Sequence, residues 1–306
     1  MPERRLPGGV YAASLTPQNQ DLTIDFDALV AHCKWLLENG CNGVAPFGTT
    51  GEANSLSVAE RADALDRMIG GGLEARRLLV GTGCCSIPDT VRLTRHAIEH
   101  DVGGVLVLPP FYYKGVSDDG LFGFFDRVIQ DVADDRLEIY LYHFPKMAIV
   151  DFSDGLIERL ISKYPDTIVG MKDSSGDWSH MERIATAFPG FRLFPGTEAF
   201  LLDALKIGFP GCISSTTNVT CRLAGEVFRA WRAGGESDAT ARLQQGLTSV
   251  RLALQAHAVV PALKRYLADQ LPGHGWRTVR PPLTSIDDNA YRALTAELAA
   301  LEFALT

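Results

Sequence analysis

Eight apolar runs of strand length alternate with amphipathic segments of helix length over most of the chain, and no other feature restricts the fold as tightly. The candidate strands lie at 9–15, 43–47, 78–81, 104–108, 138–142, 168–171, 192–194 and 211–214. The helix-like segments between and after them lie at 26–38, 59–69, 89–100, 120–132, 153–162, 178–188, 198–206 and 222–231. Strict strand-helix alternation implies parallel strands joined by right-handed crossovers, and eight such units close naturally into a (β/α)8 TIM barrel. A doubly wound open sheet is the competing α/β arrangement. It needs fewer strands and a Gly-rich turn after the first of them, which Leu15-Thr16-Pro17-Gln18 does not supply.

From residue 236 onward the pattern is helical without intervening strands, broken at Leu271-Pro272-Gly273-His274-Gly275 and at Arg280-Pro281-Pro282. The expected organisation is a barrel over residues 1–235 and a C-terminal helical extension over 236–306, packed on the barrel or on another subunit. The length of 306 residues suits that plan, and 46% hydrophobic with 22% charged residues is the balance of a folded globular chain. A net charge of −8 without a basic cluster gives nucleic acid nothing to grip. No apolar stretch of signal-peptide or bilayer-spanning length follows Met1-Pro2-Glu3-Arg4-Arg5-Leu6-Pro7, so the expectation is a cytoplasmic protein with no membrane partner. The six cysteines lack metal or CxxC spacing and read as reduced and mostly buried.

In a barrel the reactive groups sit at the C-terminal ends of the strands. Lys172 ends the run Ile168-Val169-Gly170-Met171 and emerges from apolar surroundings, where loss of water disfavours an ammonium and supplies a neutral amine able to attack a ketone. The iminium so formed is an electron sink for making or breaking a carbon-carbon bond. A lysine that bridges Asp173 or a helix end satisfies the same pattern. Tyr142 ends the preceding strand, close enough to Lys172 to shuttle protons, although barrel packing also explains a tyrosine there. Gly48-Thr49-Thr50-Gly51-Glu52 places two hydroxyls on a turn that can admit a carboxylate, or is simply a turn. No His, Asp and Glu set with ligand spacing marks the strand ends, so neither a metal nor a cofactor is expected.

Taken together, these residues resemble the dihydrodipicolinate synthase/N-acetylneuraminate lyase family over nearly the whole chain. The family's Gly-Thr-Thr-Gly-Glu signature stands at Gly48-Thr49-Thr50-Gly51-Glu52, its Tyr-x-x-Pro segment at Tyr142-His143-Phe144-Pro145, and its Gly-x-Lys-Asp segment at Gly170-Met171-Lys172-Asp173. The resemblance implies a Schiff-base aldolase or lyase acting on pyruvate or another 2-keto acid. It makes Lys172 the imine-forming lysine and Tyr142 the acid/base, with Thr49, Thr50 and Gly48 around the keto-acid carboxylate and Gly196 and Ile213 lining the pyruvate site. Tyr112, or its neighbour Tyr113, corresponds to the tyrosine that reaches into a neighbouring subunit of a homotetramer built as a dimer of dimers. His143 either contacts a substrate hydroxyl or packs, and Glu198, Ser214 and Ser215 are placed to meet the polyol tail of a sugar acid.

One departure bears on the substrate. Where the synthases carry an arginine that pairs with the carboxylate of aspartate semialdehyde, this chain has Met147 next to Lys146, and a thioether cannot replace a bidentate fork. The leading expectation is therefore aldol cleavage or condensation with pyruvate, such as that of a 2-keto-3-deoxy sugar acid. Synthesis of 4-hydroxy-tetrahydrodipicolinate, dehydration of a keto-deoxy sugar acid, and a keto-acid-binding scaffold without turnover are the alternatives.

Overall fold

The computed structural model describes residues 6–271 and 275–305. The segment Met1 to Arg5 lies outside them, as do Pro272, Gly273 and His274 of the expected break and the terminal Thr306. The barrel units are β1 (Gly9–Ala12), α1 (Phe26–Glu38), β2 (Gly43–Val44), α2 (Val58–Gly70), β3 (Leu79–Gly81), α3 (Ile87–Glu99), β4 (Gly104–Val107) and α4 (Asp118–Val132). They continue as β5 (Ile139–His143), the short α5 (Pro145–Ala148), α6 (Asp154–Lys163), β6 (Ile168–Asp173), α7 (Trp178–Ala187), β7 (Arg192–Pro195), α8 (Leu201–Lys206), β8 (Gly211–Ser214) and α9 (Thr217–Gly234). Beyond them come α10 (Asp238–Gln255), α11 (Val259–Gln270) and α12 (Asp288–Ala300).

All strand pairings are parallel. One ladder runs β2-β1-β8 and another β3-β4-β5-β6-β7. A bridge between Val44 and Leu78 joins β2 to β3, and β7 lies against β8, which closes the (β/α)8 barrel. Strand alternation sorts the side chains. Tyr11, Ala45, Leu79, Leu106, Tyr140, Phe194 and Ile213 fill the interior, while Val10, Val44, Val80, Val105, Leu141 and Leu193 turn outward onto the helices. Burying each large apolar side chain contributes about 1.5–3 kcal/mol. Eight of the helices start on side-chain caps: Asp25, Ser57, Ser86, Ser117, Ser153, Asp177, Ser237 and Asp287 each accept from a first-turn amide.

Among the departures from the sequence expectation, three bear on the mouth of the barrel. β2 ends at Val44, because Pro46 has no ladder donor and Phe47 adopts a left-handed φ of 58°. Residues 198–200 form a 3-10 turn before α8 rather than part of it. α9 begins at Thr217, five residues before the apolar pattern starts, since the Thr217 hydroxyl donates to the Ser214 carbonyl and the Asn218 amide donates to Ala13 O and Ser215 O, each at 2.7 Å. Polar residues that read as a loop are satisfied there by strand-end carbonyls.

An irregularity in one ladder positions the reactive strand ends. Ile139 pairs with Ile168, yet Tyr140 pairs with Gly170, so Val169 is an extra residue on β6. From there Leu141 faces Met171 and Tyr142 faces Lys172. Without the bulge Tyr142 would stand opposite Met171. Gly170 permits this packing, because a Cβ there would meet the Arg192 carbonyl and approach the Tyr140 ring at 2.7 Å.

The C-terminal helices form their own apolar cluster, in which Val250, Leu254, Leu263, Leu267, Trp276, Leu294 and Leu298 pack with Leu15 and Val219 of the barrel. His32 of α1 lies at this seam, its ring against Trp276 and its Nε2 2.9 Å from the Asn218 side-chain oxygen.

Two outcomes follow from these contacts. Gly170→Ala is expected to lower unfolding stability by about 1–3 kcal/mol through overpacking, read as the urea midpoint; an unchanged midpoint would show that the bulge is not constrained there. Burial lowers the His32 pKa from 6.5 to about 4, against the pull of its Asn218 hydrogen bond. Its imidazole therefore protonates in the unfolded chain before it does in the folded one, so this contribution is intact above pH 6.5 and is lost as pH falls toward 4. Between pH 7 and pH 5 the wild type should lose about 2 kcal/mol more stability than His32→Gln, and parallel losses would contradict the assignment.

Candidate active site

A cavity of about 340 Å³ opens at the C-terminal mouth of the barrel. Lys172 forms its floor, only 4% exposed, with the ammonium 4.5 Å from the centre of the Tyr142 ring. Lys172 Nζ donates to the Tyr142 hydroxyl at 3.5 Å, and that hydroxyl lies 3.3 Å from Thr49 Oγ1. Amine, phenol and alcohol thus form a continuous line, with Thr50 beside it on the same wall. A carbonyl carbon at the amine would have a proton donor and acceptor within reach.

The turn that carries the threonines is bracketed by Phe47 and Glu52, both at left-handed φ, of 58° and 57°. Such a conformation costs a non-glycine residue about 1 kcal/mol or more, and a buried ion pair holds it. The Glu52 carboxylate accepts from Lys264 of α11 and from the Arg280 amide at 2.9 Å, and Lys264 also donates to Thr278 O at 2.9 Å. Burial pulls the Lys264 pKa down and Glu52 pulls it back up. Gly51 is the tight position in the turn, because a Cβ would stand 2.9 Å from Ser14 O. Gly48 lies in the same turn without lining the cavity, and a Cβ there would meet nothing within 4 Å.

The other candidates divide into two groups. Gly196 and Ser215 line the cavity with the lysine, tyrosine and threonines. The Gly196 amide donates to Asp173 O at 2.5 Å, and a Cβ would collide with Ser174, 2.8 Å from its Cα. Ile213 lies deeper, in the barrel interior beside Tyr142 and Phe194. Glu198 is fully buried and turned away from any ligand: Ser214, Thr216 and Thr220 all donate to its carboxylate, the last at 2.9 Å, and Arg251 Nη1 stands 3.5 Å from it. Its oxygens are spent on the protein, so neither Glu198 nor Ser214 is available to a polyol tail.

His143 follows Tyr142 on its strand and so points to the opposite face. Its ring stacks on His180 at 4.6 Å, and His180 Nδ1 lies 2.6 Å from the buried Asp173 carboxylate. That hydrogen bond raises the His180 pKa, while burial lowers that of His143. His143, Asp173 and His180 bring ligand atoms within 4.8 Å of one another, as do Asp66, His96 and His100. The first cluster draws its residues from β5, β6 and α7, which sequence spacing does not bring together; in the second, His96 and His100 lie one turn apart at the end of α3, and Asp66 comes from α2. None of the histidines lines the cavity.

Tyr112 and Tyr113 stand outside the cavity on the loop after β4, each 74% exposed and packed edge to face at 5.3 Å. Met147 is also outside and 58% exposed, whereas Lys146 lines the wall. Phe144, Asp173, Ser174, Gly176, Thr197, Arg251, Gln255, Val259 and Val260 complete the lining, and the last four, from the C-terminal helices, escaped sequence reasoning. Arg251 and Gln255 are one helical turn apart on α10, a spacing that reads equally well as a solvated face.

The chain matches the dihydrodipicolinate synthetase family model over residues 6–301. It is 33% identical over 297 residues to an uncharacterized DapA-like lyase of Chloroflexus aurantiacus, covering 96% of this chain and 98% of that one. Among solved structures it is similar to dihydrodipicolinate synthase from Agrobacterium tumefaciens, with a TM-score of 0.86 at 32% identity over 96% of this chain and 99% of that one. It is also similar to YagE of E. coli K12, a prophage protein solved in complex with pyruvate, with a TM-score of 0.88 at 25% identity over 97% and 99% of the two chains. The family model spans nearly the whole chain and the Chloroflexus relative is 33% identical over 96% of it, so the chain belongs to the dihydrodipicolinate synthetase family.

Proposed function

We propose that this lyase works through a Schiff base between Lys172 and pyruvate or a related 2-keto acid. The observation that carries the reading is the line from the buried Lys172 amine through the Tyr142 hydroxyl to Thr49. The amine attacks the keto carbon, the carbinolamine loses water as Tyr142 passes a proton to the departing oxygen, and an iminium remains. In cleavage, the bond between the third and fourth carbons of the substrate breaks into the iminium as an enamine, and the proton of the fourth-carbon hydroxyl leaves through Tyr142. Condensation is the reverse. The hydroxyls of Thr49 and Thr50 and the turn amides hold the keto-acid carboxylate.

In this reading the exposed Tyr112, with Tyr113 as the alternative, completes the relay of a second copy within a homotetramer, a role its distance from its own cavity supports. Cytoplasmic residence is the remaining part of the proposal, in keeping with six cysteines that are free of disulfides. Among the described residues no helix is long and apolar enough to cross a membrane.

The similarity to the Agrobacterium synthase favours a second reading, condensation of pyruvate with aspartate semialdehyde. The position of Met147, exposed and away from the cavity, weighs against it. Incubation with that aldehyde and pyruvate is expected to yield no 4-hydroxy-tetrahydrodipicolinate; steady turnover would reinstate the second reading.

Borohydride added with pyruvate should attach one reduced pyruvyl group at Lys172, located by peptide mass analysis, and Lys172→Ala should show none. Tyr142→Phe should still form some adduct but lose about 10²–10⁴-fold in turnover of whichever aldol substrate a keto-deoxy acid screen identifies. Adduct on another lysine, or none, would refute the proposal.

A further inference from the structure

Away from the cavity, three side chains on the outer helices converge on one point. His96 stands in the last turn of α3 and His100 is its C-cap, so their imidazoles leave the same face of the helix one turn apart. Asp66 faces them from α2. His96 Nε2 lies 2.8 Å from Asp66 Oδ1, and His100 Nε2 lies 2.7 Å from the same atom. The backbones behind these groups are held by the core, in which Ala64, Leu65 and Met68 of α2 and Val91, Ala97 and Ile98 of α3 are buried. The rings meet edge to face, with 4.9 Å between centroids and 84° between planes. Rings stacked nearly parallel, as those of His143 and His180 are at 20°, send their in-plane lone pairs along separate lines. Perpendicular rings can aim both at one ion.

Hydrogen bonding to the carboxylate explains one of these contacts. His100 is aligned for it, whereas His96 is just as close without its nitrogen pointing along the line to the oxygen. An imidazole that ligates an ion beside a carboxylate has that off-line geometry, because its lone pair is aimed at the ion between them. In a tetrahedral zinc site, bonds of about 2.0–2.1 Å separate the ligand atoms by about 3.3 Å. The three atoms here lie within 4.8 Å of one another, and Asp66, the most exposed of the three residues, can rotate outward to open its two contacts by the required distance, about half an ångström. The free carbonyls at the end of α3 favour a cation at this place. The neighbouring guanidiniums do not compete for it: Arg67 lies over the Phe26 ring, and Arg95 donates to the Asp131 carbonyl.

We propose that Asp66, His96 and His100 form a surface site for a divalent ion of the zinc type, held by two imidazole nitrogens and one carboxylate oxygen, with water at the fourth position. The donor set selects the class of ion. Imidazole suits Zn2+, Ni2+ and Cu2+, whereas Mg2+ and Ca2+ call for oxygen ligands throughout. Each barrel helix runs back from the strand ends that carry the catalytic groups, and α3 finishes just before β4 starts at Gly104, so the site lies at the opposite rim from Lys172. The ion therefore ties α2 to α3 and takes no part in the chemistry of the cavity. The inference stands independently of the Schiff-base reading.

Calorimetric titration of the chelator-treated full chain with zinc chloride should show saturable binding of one ion per chain, and zinc should raise the thermal midpoint while magnesium and calcium leave it unchanged. His96→Gln and His100→Gln should each weaken zinc binding at least about tenfold. Asp66→Asn should do the same, although its amide oxygen still accepts from an imidazole; a cluster that serves hydrogen bonding alone would leave the zinc titration of all three variants like that of the wild type, which would overturn the proposal. His180→Gln in the other histidine cluster and Cys85→Ser at the exposed thiol should leave zinc affinity unchanged, and loss of binding in either would place the ion elsewhere and refute the assignment. Copper(II) offers a reading on the unaltered chain. Its electron paramagnetic resonance spectrum should carry hyperfine coupling from two imidazole nitrogens, and a spectrum without nitrogen coupling, or the absence of saturable zinc binding by the wild type, would equally overturn the proposal.

Discussion

The pairing of β5 with β6 is the constraint on which the rest of the site depends. Side chains alternate across a strand, so a ladder slipped by one residue would set the Tyr142 phenol opposite Met171, which faces the helices. The extra residue at Val169 removes that possibility and brings phenol and amine to the same side. Parallel closure does the remainder. Every strand delivers its last residues to one rim, so the Thr49 hydroxyl from the turn after β2 meets the phenol from β5 despite 93 residues of separation.

A rim of loops is mobile unless something holds it, and here buried ion pairs fasten two of them to the C-terminal helices. Lys264 of α11 holds the threonine turn through Glu52, and Arg251 of α10 holds the β7 and β8 loops through Glu198 and its ring of hydroxyls. Bringing such charges out of water is costly, and the pairs return little net stability. Their value lies in position. Glu52 keeps a strained left-handed conformation, and Arg251 ties the hydroxyls of Ser214, Ser215 and Thr216 together. The helices beyond the barrel are therefore part of the site, supplying the far wall of the cavity as well as its anchors.

In the proposed Schiff-base reaction, exclusion of water around Lys172 and Tyr142 favours covalent capture and proton transfer. In the arrangement expected from the family resemblance, an arginine from the β5 segment meets the carboxylate of the second substrate. Here Met147 stands outside the cavity, while its neighbour Lys146 lines the wall together with Ser215 after β8 and with Arg251 and Gln255 of α10.

The sequence by itself determined the barrel, because strand-length apolar runs alternating with helical ones admit few closed arrangements, and it also marked Lys172, Tyr142 and the Gly-Thr-Thr-Gly-Glu turn, which stand at strand ends in local motifs. It could not decide orientation. His143 and Glu198 look as available as Tyr142 and Ser215 when read along the chain, yet strand alternation turns His143 outward and a ring of hydroxyls closes over Glu198. Arg251 and Gln255 carried no signal, since an arginine and a glutamine one turn apart on an amphipathic helix suit a solvated face, and only the packing of α10 over the barrel mouth brings them to the cavity. Local pattern reaches a few residues along the chain. Which hydrogen-bonding capacity remains for a ligand depends on partners far apart in sequence, and that was settled by tertiary structure alone.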